Sequence, residues 1–216
     1  MKRLSLFTLL GTTGTGLVVA GLLAVIAPPP APAKIARPNR PGMNMKIKPD
    51  NDQHLLPWAR VAPLVTHDDT TGTVDKTKKQ VTFTGKKIDL VLVAVEPGFP
   101  DTTFEVHKLV NPTISVPTGA TITLTLVNMD YGPGMIYGIA IGQKVPPYDS
   151  AINLPLPHQL ASIPLLMPRT KRDVKKSSYW VSTVSFTCKK PGTWYYLCQM
   201  PTCARVGMFG KFVVRK

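Results

Sequence analysis

The sequence predicts an all-β domain, a Greek-key sandwich of two sheets, with an N-terminal targeting segment and a spacer in front of it. Three observations carry this. Thr121, Thr123 and Thr125 alternate with Ile122, Leu124 and Leu126, the period-two pattern of a half-buried strand. Turn signals at Pro97-Gly98, Pro117-Thr118-Gly119 and Pro191-Gly192 punctuate such runs at sandwich-like intervals. The 216 residues also include 22 prolines, which favours strands and loops over a helical bundle.

From the N-terminus, residues 1–33 read as a targeting segment. Lys2 and Arg3 precede an uncharged stretch over residues 4–27, and Ala31-Pro32-Ala33 offers a small-residue cleavage site. The uncharged stretch is also long enough to span a bilayer, for which about 20 residues suffice. It is therefore either a cleaved signal peptide or a retained membrane anchor, and both place the remainder outside the cytoplasm. Residues 34–53 form a Pro-rich linker interspersed with basic side chains, an extended spacer with no core of its own. Residues 54–216 make the single domain.

Within that domain, residues 54–65 suggest a short helix with Pro57 near its first turn and Pro63 at its end. Apolar strands are expected over residues 81–84 and 88–95, and again where Trp180, Val184 and Phe186 share a face opposite Thr183 and Ser185. Residues 143–176 are less regular and read as a long excursion between strands. The excursion ends in the basic run Arg169-Thr170-Lys171-Arg172-Asp173-Val174-Lys175-Lys176. That run is either an ordinary solvated loop or a surface that steers an acidic partner. No internal repeat is visible.

The formal net charge is +14, with ten aspartates and only two glutamates, Glu96 and Glu105. Such a balance suits nucleic acid, an anionic membrane surface or an acidic protein, and the export segment argues against nucleic acid. A chain poor in carboxylates also loses little when the medium turns acid. Three cysteines, Cys188, Cys198 and Cys203, are an odd number for an exported protein, so at least one is free, metal-bound or paired to another chain. A Cys198–Cys203 or Cys188–Cys198 disulfide with one inert thiol is the plainer alternative.

The C-terminal stretch concentrates the chemistry. The aromatic run Trp194-Tyr195-Tyr196 leads into Cys198, a short loop carries Cys203 and Met208, and a second β-prone run closes the chain. With VAVEPGFPDTTFEVH (93–107), NPTISVPTGATITLTLVN (111–128), VPPYDS (145–150) and YLCQMPTCARVGMFGKFVV (196–214), the chain resembles the cupredoxins, the rusticyanin type of blue-copper protein in particular. Its Cys-x4-Cys-x4-Met spacing is similar to the family's Cys-x4-His-x4-Met loop. Cys203 stands at one histidine position, and Met135, after Gly132-Pro133-Gly134, stands at the other.

The resemblance implies a cupredoxin-like sandwich holding one copper ion per chain, with Cys198 as thiolate, Met208 as axial-type thioether, and Cys203 and Met135 in place of the imidazoles. A blue-copper centre uses a thiolate, two imidazoles and a weak axial thioether, whereas soft sulfur donors select Cu(I). It further implies a periplasmic one-electron carrier whose redox partner is a protein such as a c-type cytochrome. A Cu(I) carrier or sequestration protein with an all-sulfur site, and a metal-free disulfide-bonded interaction module, stand as alternatives. Cys188 lies outside the ligand pattern and reads as a buried thiol. His107 lies in a family segment that is not the ligand turn, while His54, His67 and His158 have no partners in sequence. Met43 and Met45 in the linker read as incidental, because thioethers suit Cu(I) only when gathered. No nucleophile–base pairing, carboxylate pair or phosphate loop points to an enzyme.

Overall fold

The computed structural model describes residues 52–216. The expected signal or anchor, and all but the end of the expected linker with Met43 and Met45, lie outside the described residues. In chain order the elements are β1 (His54–Pro57), α1 (Trp58–Thr70), β2 (Thr73–Asp75), β3 (Gln80–Thr82), β4 (Lys87–Ala94) and β5 (Phe104–Val106). There follow β6 (Leu109–Val110), β7 (Thr113–Pro117), β8 (Thr121–Asn128), β9 (Tyr137–Gly142) and β10 (Ala161–Leu166). The chain closes with α2 (Lys171–Lys175), β11 (Ser178–Thr187), β12 (Gly192–Cys198) and β13 (Phe209–Arg215).

Two mixed sheets face each other, one ordered β1-β11-β8-β4-β5-β6 and the other β10-β9-β12-β13-β7-β3-β2. Strand parity makes the core. Leu90 and Leu92 of β4 and Ile122, Leu124 and Leu126 of β8 line one inner face, with Trp180, Val184 and Phe186 of β11 packed against them. Tyr137, Ile139 and Ile141 of β9, Trp194 and Tyr196 of β12, and Phe212 and Val214 of β13 line the other. The all-β sandwich expected from the alternation is the observed fold.

The outer faces are covered too, and here the structure departs from expectation. Residues 54–57 are a strand, because they pair antiparallel with β11 from His54 opposite Val181 to Pro57 opposite Ser178. The helix starts only at Trp58, whose N–H donates to Ser177 O at 2.7 Å, and it runs through Pro63. Proline normally costs a helix one hydrogen bond and a steric clash. The compensation is packing: Val61 and Val65, with Leu64, lie against Val91, Val93, Val127 and Val181 on the back of the sheet. Gln53 is drawn into the same body, donating from Nε2 to Leu165 O at 2.9 Å and accepting from Met167 N at 3.1 Å.

The excursion over residues 143–176 is more regular than its sequence suggests. Tyr148, Ile152 and Leu156 fold back over Ala140, Leu197 and Phe209, the chain then pairs as β10 with β9, and a capped helix follows. Arg169, at the head of the basic run, is not a surface charge: it is 3% exposed, with its guanidinium 3.9 Å above the Tyr179 ring. Thr170 and Asp173 form a capping box on α2, a signal present in the sequence.

Candidate metal centre

The alternation of β12 decides where its terminal thiol points. Trp194 and Tyr196 face the core, so Cys198, two residues farther, faces it as well and is fully buried. The loop that follows is folded tightly. Cys203 N–H donates to Met200 O at 3.2 Å, and Met208 N–H donates to Cys203 O at 3.0 Å. Cys198 N–H donates in turn to Met208 O at 3.0 Å. The backbone of Met208 thus joins both cysteines, one on its N–H side and one on its carbonyl side. Met208 shares the inward parity of Phe212 and Val214 and is buried beside Cys198 and Cys203. From outside, Asn111 Nδ2 donates to Gly207 O at 2.9 Å while its Oδ1 accepts from Phe104 N.

Met135 arrives from the turn between β8 and β9. Gly132 and Gly134 both have positive φ, +101° and +75°, which glycine adopts without strain. Asn128 at the end of β8 fastens this turn, donating from Nδ2 to Met135 O at 2.9 Å and to Met167 O at 3.0 Å. The backbone of Arg169 accepts from Gly132 N–H at 3.0 Å, and Arg169 Nη1 donates to Met129 O at 3.0 Å. Tyr137 hydroxyl, which donates to Asp130 Oδ2 at 2.8 Å, lies 3.9 Å from Met135 Sδ. Met135 is half-buried and packs on the cluster that holds the other three sulfurs.

Cys198, Cys203 and Met208 therefore share one folded loop after β12, while Met135 lies on the turn between β8 and β9, half-buried against the same core. Cys198 and Cys203 thiols hydrogen-bond each other, and neither is in a disulfide. Burial first, then the Cys203 thiol beside it, push the Cys198 thiol well above its ordinary range, against the pull of backbone N–H groups of Met200 and Gly138. Met200 is a further buried sulfur of the same cluster. The sequence reading passed over it, although its two-residue offset from Cys198 continues the inward parity.

The remaining candidates lie elsewhere. Cys188 is at the opposite end, where its N–H donates to Ala120 O at 2.9 Å just before Thr121 pairs with Thr187. Burial pushes its thiol to about 11. The register of β5 on β4 sets Phe104 level with Ala94 and Asn128, so His107 is carried three residues away from the sulfur end. Its ring instead packs edge-on to Phe83 at 5.6 Å. His54, His67 and His158 are exposed on β1, α1 and the covering loop. No imidazole joins the site, and among the described residues no group of three or more His, Cys, Asp or Glu side chains could hold a metal.

No family model matches the chain. It is 37% identical over 139 residues to rusticyanin of Acidithiobacillus ferrooxidans, a match covering 62% of this chain and 67% of that protein. Reduced rusticyanin superposes with a TM-score of 0.65 at 32% identity, over 76% of this chain and 99% of that one. A rusticyanin variant with one histidine changed to methionine superposes with a TM-score of 0.65 at 33% identity, over 77% of this chain and 100% of its own.

Proposed function

The chain belongs to the rusticyanin family of cupredoxins, and from that premise we propose that it is an extracytoplasmic copper protein of the one-electron-transfer class whose metal is held by sulfur alone. One observation supports this above the others. Cys198, Cys203 and Met208 lie buried on one hydrogen-bonded loop of the family fold, and Met135 is half-buried against the same core. The donor set suits copper in its cuprous state, since thiolates and thioethers are soft ligands, and it offers no imidazole pair of the kind a blue Cu(II) centre uses.

Cys198 and Cys203 would supply the charged donors, Met208 and Met135 the neutral ones. Bound copper would supply a one-electron couple. Each thiol gives up its proton to coordinate, so loading releases protons and weakens as pH falls. The thioethers have no proton to lose, which keeps Met135 and Met208 available in acid, where an imidazole below about pH 6.5 is protonated. Asn128, Asn111 and the Met208 peptide hold the donors in place before any metal arrives, which limits rearrangement on electron exchange. The half-buried Met135 edge is the side from which a redox partner, by family a protein such as a c-type cytochrome, would approach. Residues 1–33 would direct export to the periplasm, as a cleaved signal or as an anchor. No helix among the described residues is long and apolar enough to cross a membrane.

A second reading, Cu(I) carriage or sequestration, draws on the same missing imidazoles: a site that never stabilises Cu(II) still holds Cu(I). Anaerobic Cu(I) titration against a competing chelator, followed by voltammetry of the loaded chain, tests both. The expected result is a single tightly held copper with a reversible one-electron wave. Cys198→Ser should weaken binding by at least about 100-fold, the upper end of second-shell effects, and Cys188→Ser should leave it unchanged. Tight binding without a wave would favour carriage, and undiminished affinity in Cys198→Ser would overturn the site.

A further inference from the structure

The copper reading leaves one feature of the site unused: its two charged donors are also each other's nearest reactive neighbours. Their thiols are hydrogen-bonded, both side chains are buried, and the two residues flank Met208 through Cys198 N–H to Met208 O and Met208 N–H to Cys203 O. A disulfide needs sulfurs about 2.05 Å apart and a compatible pair of Cβ directions. The two thiols already hydrogen-bond, and Cys203 lies on the loop, outside β12 and β13, so closing the remaining gap asks for movement of a loop residue and not of a strand. The third thiol cannot compete, because Cys188 is shut in at the far end of the sandwich. Burial of all three also keeps other chains from reaching them.

We propose that Cys198 and Cys203 form a dithiol–disulfide couple that gates the site, the reduced pair holding Cu(I) and the oxidised pair withdrawing both charged donors from it. The proposal rests on the copper reading for its consequence, though not for the bond itself. The oxidant is cupric ion. Two Cu(II) ions each take one electron, the two S–H bonds break, one S–S bond forms, and two protons pass to water, leaving two Cu(I). Met135 and Met208 remain after oxidation as neutral thioethers, which hold Cu(I) more weakly than a site with thiolates. A copper-free chain would thus reduce cupric ion once and then hold the product weakly until a thiol reductant restores the pair, whereas in a loaded chain the thiolates stay on the metal and the electron is exchanged there.

The full, reduced, copper-free chain is treated anaerobically with two equivalents of Cu(II), quenched in acid, alkylated without reduction, and digested for mass spectrometry. A parallel sample receives an organic disulfide as metal-free oxidant. The expected result is a linked Cys198–Cys203 peptide two hydrogens lighter than the dithiol, Cys188 fully alkylated, and two Cu(I) captured by chelator per chain. Cys188→Ser should give the same link, and Cys203→Ser should abolish it. Three alkylated thiols in both samples, or linkage through Cys188, would overturn the couple. If the reduced chain binds Cu(I) tightly yet forms no link, the couple fails and the copper reading stands. If the link forms in a chain that binds no Cu(I), the couple stands and the copper reading fails.

Discussion

At residue 203 a thiol occupies a position where the family has an imidazole, and the exchange alters what acid does to the site. An imidazole and a metal compete for one lone pair below about pH 6.5, whereas a thiol must give up its proton before it binds the metal at all. The other acid-linked feature is remote from copper. Glu96 and Glu105, the chain's two glutamates, lie together, with Lys108 Nζ 2.6 Å from Glu96 Oε1 and Lys108 N–H donating to Glu105 Oε1. Glu105 is 2% exposed, and burial, then the adjacent Glu96, push its carboxyl from 4.5 to about 9. The folded state keeps a proton that the unfolded chain releases, so stability is full below about 4.5 and is lost as pH rises toward 9. Calorimetric melting across this window should show a falling Tm in the parent chain. Glu105→Gln should flatten that slope, and an unchanged slope would remove Glu105 as its cause. The inward direction of Cys198 was legible from the alternation of β12, while its reading as a ligand, like that of Met208, came from the family resemblance. The contact of Cys203 with Cys198 was not legible, since a folded loop and a disulfide have the same sequence.

Elements position the donors, and the least legible of them proved to matter for the site. The basic run after residue 168 looks solvated by composition, but Arg169 is held by Met129 O and Ser178 O and stacks on Tyr179, tying the Met135 turn to β11. Composition records charge and cannot record that two backbone carbonyls and an aromatic face await it. Burial lowers the tendency of Arg169 to stay charged, and Tyr179 beside it and Asp173 oppose that. Arg169→Met would strand the buried carbonyl of Met129, at roughly 1–3 kcal/mol. Urea melts should show a loss in that range for Arg169→Met, and within about 0.5 kcal/mol of the parent for exposed Lys175→Ala. Equal effects would mean that the guanidinium is not structural. α1 shows the same limit: Pro63 reads locally as a stop, and only the valines waiting on the back of the sheet let the helix continue.

At the scale of the molecule, the sandwich was legible from alternation and turns, and its site end from one loop. The pairing of β1 with β11 and the return of β10 onto β9 depend on contacts far apart in sequence, which no local pattern encodes. The whole arrangement keeps Cys198, Cys203 and Met208 on one buried loop and Cys188 at the other end of the sandwich. The most direct test of sulfur-only ligation is X-ray absorption at the copper edge on the full chain, reduced and loaded with Cu(I). A first shell of sulfur alone, with no outer-shell scattering from imidazole, is the expected result. A shell containing imidazole nitrogen would contradict it, because it would require a histidine that this fold keeps away from Cys198.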